Sequence, residues 1–199
     1  GEAKEAGVNT ITFNSFCSPD FAFVGQKDSY GDGFDLGKYL AEHIGGEGEV
    51  GILSGSLTAT DHVERIKGFK KALEEFPNVK VVFEQPDDDV LENAVSLTEN
   101  ALQAHPNIKG FFGSNASNPI GIARAVQNAG KAGQIAIVGM DDLPEAMDFV
   151  KEGVITALKA QRQWDIGYWA VKYMVAMNQN HTIPMDHNTG SRLITKDAM

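Results

Sequence analysis

Six apolar stretches each end in polar residues: TITFNS (10–15), VGILSGS (50–56), VKVVFEQPD (79–87), IKGFFGSN (108–115), IAIVGMDD (135–142) and VITALKAQ (154–161). Ser54, Gln85, Asn115, Asp141 and Gln161 stand at such ends. Neutral hydrogen-bonding groups with one carboxylate suit a neutral, hydroxyl-rich small molecule. Asn115 offers a donor and an acceptor on one amide, which matches a hydroxyl; it can instead cap the helix that follows. Asp141 can accept from two hydroxyls or cap a helix near Pro144, and Asp142 competes for either role. Gln161 carries the same amide chemistry at the end of its stretch. Arg65 is the arginine near this edge. Its planar fork can hold neighbouring sugar oxygens in pairs, or it can sit in a surface ion pair with Glu64 or Asp61. Trp164 can lay its ring against a sugar or belong to the core of the last helix with Ile166, Trp169 and Tyr173.

Between the apolar stretches lie segments of helical period, so strand and helix alternate along the chain. The strand starts near 49, 79, 108 and 134 are about 26–30 residues apart, the length of one strand-plus-helix unit. This alternation predicts an α/β fold, a doubly wound parallel sheet with helices on both faces. In open sheets of that kind ligands sit beyond the carboxyl ends of the strands, where the polar residues fall. Strands are expected at 10–14, 21–25, 49–53, 79–84, 108–113, 134–139, 154–160 and 192–195. Helices are expected at 33–44, 62–76, 119–129, 143–151 and 164–178, with one more ending at His105. Thr58, Thr60 or Asp61 is expected to cap the second of these. Asp88 or Asp89 is expected to cap the helix that ends at His105, and Ser117-Asn118 the one opening on Pro119. GEAKEAG reads as the last turns of a helix with Gly7 just past its end.

The chain of 199 residues has a formal net charge of −10 and a sequence pI near 4.9. That balance opposes a nucleic-acid footprint, which needs clustered Lys and Arg, and opposes docking on anionic membranes. No apolar run is long enough to span a bilayer. Cys17 is the sole cysteine, so no disulfide forms within the chain. GEGEVG (46–51) matches a dinucleotide-binding pattern as letters. Its glycines end a helix and open a strand, the reverse of what that motif requires. The five histidines (43, 62, 105, 181, 187) lack metal-ligand spacing, and neither a nucleophile motif nor a cofactor motif is legible. His62 stands out because it lies just past a strand end. Asp87, Asp88 and Asp89 read as a solvated helix start, or else as an acidic pocket.

The segments HVER-x-KGF (62–69), HPNIKGFFGSNASNPIGIARAVQNAGKAGQIAIVGMDDLPEA (105–146) and VKEGVITALKAQ (150–161) resemble the ribose-type group of bacterial sugar solute-binding proteins. These are the receptors of ABC importers, with the type I periplasmic fold. The resemblance covers nearly the whole chain. It implies two Rossmann-like lobes joined by three crossovers, with a sugar between them and a membrane permease as partner. It implies no cofactor, no metal and no catalysis. On that pattern residues 1–29 are a remnant of the N-terminal lobe and 30–160 are the C-terminal lobe. Residues 161–199 then hold the crossover with the last helix and strand of the N-terminal lobe. Arg65, Asn115, Asp141 and Gln161 match the group's ligand-binding Arg, Asn, Asp and Gln. An Asp-Arg pair of the group falls on Asn14-Ser15, a departure that argues against ribose itself. The group's first three strands have no counterpart, so the expectation is a fragment whose apolar surface around Phe13 and Phe23 self-associates. The expected location is periplasmic or extracellular. Sugar-responsive repressors and extracellular sensor modules share the core and form the alternative reading.

Overall fold

The computed structural model describes residues 2–198. The chain divides into two units. Unit 1 takes Gly1–Asp28 and Gln161–Arg192, and unit 2 takes Ser29–Ala160 and Leu193–Met199.

Unit 2 is built on a six-stranded sheet. Its strands in chain order are β3 (Glu47–Ser54), β4 (Asn78–Pro86), β5 (Ile108–Gly113), β6 (Ala136–Met140), β7 (Ala157–Gln161) and β9 (Ser191–Thr195). Their spatial order is β4-β3-β5-β6-β7-β9, and the pairs from β4 through β7 are parallel. β9 thus pairs beside β7. The helices are α2 (Ser29–His43), α3 (Thr60–Leu73), α4 (Leu91–Ala104), α5 (Asn118–Asn128) and α6 (Pro144–Glu152). Side chains alternate across the strands and build two cores. Leu53, Phe111, Ile137 and Leu158 pack with α4, α5 and α6; Ile52, Phe112, Val138 and Ala157 pack with α2 and α3. Phe69 of α3 stacks on Phe112 with ring centres 4.3 Å apart. Each such fully buried apolar side chain is worth about 1.5–3 kcal/mol, which anchors the strand ends that carry the polar edge.

The α2–α3 contact is unusually close because glycines make it. A Cβ at Gly68 would run into the Tyr30 carbonyl and stand 2.9 Å from Phe34 N. A Cβ at Gly33 would overlap the backbone of Arg65. α3 therefore seats its Arg65 turn directly on α2.

Unit 1 holds α1 (Glu2–Glu5), β1 (Ile11–Phe13), β2 (Ala22–Gly25), α7 (Gln163–Asn178) and β8 (Asp186–Asn188). Its three strands form a parallel sheet in the order β1-β2-β8. Gly7 takes a left-handed φ of 70° past α1, as the sequence implies. Phe13 is 62% exposed, whereas Phe23 is 1% exposed, so the expected apolar surface does not include Phe23. Phe23 faces inward on the central strand and Phe16 packs edge-on against it at 5.7 Å.

The expected helix caps are also corrected. The residues preceding α3, α4 and α5 are Ala59, Val90 and Ser117, and none makes a side-chain cap bond. Asp88 and Asp89 have φ of 56° and 62°, left-handed conformations that take them out of capping geometry. α6 begins at Pro144 and ends on Gly153, whose φ of 81° supplies the left-handed turn.

Candidate functional site

The carboxyl edge of the six-stranded sheet collects polar groups from five adjacent strands. In spatial order these are Asp87–Asp89 after β4, Ser54 at the end of β3, Asn115 after β5, Asp141 after β6 and Gln161 at the end of β7. Asn115, Asp141 and Gln161 are buried, as is Ser54. Asp141 has φ 66°, and its N–H donates to the Lys159 carbonyl at 3.0 Å, continuing the β6–β7 ladder by one residue.

Arg65, 2% exposed, is among the largest fully buried side chains. Its Nη1 donates to the Ser114 carbonyl at 3.1 Å and lies 3.4 Å from Asp61 Oδ2, one helical turn earlier. Its Nε is buried without a hydrogen-bond partner. One end of the guanidinium thus braces the residue before Asn115, and Nε is an unused donor in a site where unmade bonds are costly.

Asn115 has several partners at once. Its Oδ1 accepts from the Asn118 N–H at 2.8 Å and from Ser117 Oγ at 3.1 Å, and its Nδ2 donates to Asp89 Oδ1. Asn118 replies with Oδ1, which accepts from the N–H groups of Ser114 (2.9 Å) and Asn115 (3.2 Å). Its Nδ2 donates to Asp87 Oδ2. The other Asp87 oxygen accepts the Asp89 N–H at 3.0 Å, and the Asp87 N–H donates to the Ser54 carbonyl at 2.8 Å. One network therefore joins the ends of β3, β4 and β5 to the start of α5.

Asp87 is 0% exposed, which the sequence reading of a solvated acidic run does not convey. Burial pushes its carboxyl from 3.8 up to about 6, against hydrogen bonds that favour the charged form. Asn118, expected at the capped opening of a helix, is also fully buried. Both residues are hydrogen-bonding centres of the edge, and no periodicity distinguishes a buried Asp or Asn from an exposed one.

The remaining candidates lie in unit 1. Asn14 follows β1 with φ 63°, and its Oδ1 is buried without a partner. Ser15 is exposed and its N–H donates to the Phe13 carbonyl at 2.8 Å. Trp164 is 73% exposed and stacks on Tyr168 with ring centres 4.8 Å apart. Trp169 and Tyr173 continue the aromatic series to His187, whose Nδ1 lies 2.9 Å from the Tyr173 hydroxyl.

Among the described residues, no group of three or more His, Cys, Asp or Glu is placed to hold a metal ion. No helix among them is long and apolar enough to cross a membrane.

The family model described as periplasmic binding protein domain matches residues 1–181. The D-allose-binding periplasmic protein of Escherichia coli (strain K12) is 34% identical over 193 residues, 96% of this chain and 58% of that protein. The chain therefore spans little more than half the length of that relative. The ribose import binding protein of Salmonella typhimurium is 29% identical over 195 residues, 98% of this chain and 65% of the relative. Among solved structures, an ABC transporter periplasmic solute binding protein from Actinobacillus succinogenes with bound D-allose matches with a TM-score of 0.92. It is 30% identical, and the match covers 98% of this chain and 72% of that one. A solute binding protein from Burkholderia graminis in complex with D-arabinose also reaches 0.92, at 33% identity over 98% of this chain and 70% of that one.

Proposed function

This chain belongs to the periplasmic binding protein domain family, and from that premise we propose that it is the substrate-binding component of an ABC importer. It captures a sugar or polyol and delivers it to a membrane permease. The observation that carries this reading is the mixed polar edge beyond β3 to β7. Arg65 is there an unfailing donor, Asp141 a carboxylate acceptor, and Asn115 and Gln161 carry both functions. A hydroxyl needs such a mixture, because it donates and accepts at once. Asn14, Ser15 and Trp164 are proposed as further ligand contacts on their chemistry and their places beyond β1 and at the start of α7. The reading requires no cofactor and no covalent step, and it places the protein on the outer side of the cytoplasmic membrane.

Thermal denaturation with a panel of monosaccharides and polyols tests the proposal, beginning with D-allose, D-ribose, D-arabinose and xylitol. A ligand at 100 times its dissociation constant stabilises the folded state by about 2.7 kcal/mol. For a chain of this size that raises the midpoint by roughly 5–11 °C. A rise with at least one panel member is expected. No rise with any of them would overturn the reading.

A further inference from the structure

The six-stranded sheet has a second end. At its amino edge, opposite the polar strand ends, unit 2 holds a cavity of about 370 Å³, the volume of a small-molecule site. Its floor includes Ile135 and Ile155, which lead into β6 and β7, are 4% and 1% exposed and belong to the apolar core. One side is lined by Tyr39 and His43, a turn apart on α2, whose rings lie 6.1 Å apart and within 16° of parallel. Lys109 of β5 and Lys196, just past β9, also line it.

Both lysines are seated on glycines. A Cβ at Gly48 would come within 2.6 Å of Lys109 Cδ, and a Cβ at Gly153 would stand 3.6 Å from Lys196 Nζ. The fold takes up neither ammonium firmly. Lys196 has no hydrogen bond or ion pair among the described residues. Lys109 meets Glu47 at 3.6 Å, between side chains 47% and 68% exposed, where such pairs hold weakly. The neighbouring helix ends do not claim them either. Turn N–H groups already occupy the Leu40, Ala41 and Glu42 carbonyls of α2 and the Phe149 and Val150 carbonyls of α6. Asp197 also lines the cavity, and it is exposed. Two cations therefore face one solvated carboxylate, in a chain whose formal net charge is −10. Such a local reversal of sign draws anions out of solution.

We propose that this cavity is a second binding site, for a small amphipathic anion. A flat ring covers Ile135 and Ile155 beside Tyr39 and His43, and its carboxylate or phosphate is held by Lys109 and Lys196. Burial of the ring supplies affinity, and the charge-assisted bonds select the anion. The site shares no residue with the polar edge beyond β3 to β7, so it stands independently of the polyol reading.

NMR titration of the ¹⁵N-labelled chain with phenyl phosphate tests the proposal, with phenol and inorganic phosphate standing for the two halves of the ligand. Phenyl phosphate is expected to move the Gly153, Ile155 and Lys196 amide resonances while those of Asn115 and Asp141 stay in place. It is expected to bind at least about 10-fold more tightly than either half alone. Lys109→Met and Lys196→Met keep an apolar stem, and each is expected to weaken it about 10-fold, the lower end for a hydrogen bond to a charged group. No movement at those three amides in the wild type, or equal binding by both folded variants, would overturn the proposal. Inorganic phosphate binding as tightly as phenyl phosphate would also overturn it, because the ring would then contribute nothing. Sugar titrations are read separately, so failure of either site leaves the other standing.

Discussion

Gly68 and Gly167 both lie inside helices, and the same substitution is expected to act on them in opposite directions. Gly167 in α7 has open space where a Cβ would stand, with no heavy atom within 4 Å. Gly68 in α3 faces α2, where a Cβ would overlap the Tyr30 carbonyl and sit 2.9 Å from Phe34 N. Helix propensity alone favours Ala over Gly by about 0.5–1 kcal/mol at either place. At Gly167 that gain stands unopposed. At Gly68 the obstructing atoms are backbone, which cannot rotate away as a side-chain tip can. Carbon contacts relax only near 3.5–4 Å, so α2 and α3 must part by more than about 1 Å along their contact. Overpacking of this kind costs about 1–3 kcal/mol and occasionally more, and the steric cost exceeds the propensity gain. Each kcal/mol moves the midpoint of a domain this size by about 2–4 °C. Gly68→Ala is therefore expected to melt below the wild type, by up to about 10 °C, and Gly167→Ala about 1–4 °C above it, in far-UV circular dichroism melts. Arg65 shares this helix contact through Gly33, so Gly68→Ala is also expected to weaken any ligand that uses Arg65. A Gly68→Ala protein as stable as the wild type, or shifted like Gly167→Ala, would refute the close-packing argument.

The Asp87 carboxyl, raised to about 6, binds its proton more tightly folded than unfolded, so its contribution favours the folded state at low pH. Stability is expected to fall by up to about 3 kcal/mol as pH rises from about 4 to about 6, and urea midpoints at pH 4.5 and 7 should lack this component in Asp87→Asn. Asn118→Ala removes the acceptor of two backbone N–H groups and the donor to Asp87; equilibrium urea unfolding is expected to show a loss of about 3 kcal/mol or more. Gly153→Ala forces a side chain into a left-handed φ of 81° at the end of α6 and should cost about 1–2 kcal/mol, read as a lower melting midpoint.

The alternating elements and the polar edge were legible in the sequence because they follow from period and position. β5 spans Ile108–Gly113, the range its apolar run predicts, and Gly153 ends α6 as its type requires. β8 is not legible because Asp186–Asn188 has no apolar alternation; it pairs in parallel with β2, and its side chains add polar contacts to Lys27 and Tyr173. Asp87 and Asn118 were missed for a related reason. Their burial comes from a network that closes only when three strand ends meet, and no local pattern encodes that closure. Ser117-Asn118 has the residue types of a cap for α5, but Ser117 makes no cap bond and the Asn118 N–H is accepted by Asn115 Oδ1, two residues before Ser117.

Both tryptophans of the chain, Trp164 and Trp169, stand on α7, in the same run of rings with Tyr168 and Tyr173. Intrinsic emission excited at the indole band therefore originates from unit 1 alone, whereas most of the helical ellipticity belongs to unit 2. The molecule carries a built-in optical division between its halves. If the fluorescence and ellipticity transitions coincide in urea, the two units unfold as one cooperative system. If they separate, the emission curve gives the stability of unit 1 directly, without labels or added chromophores.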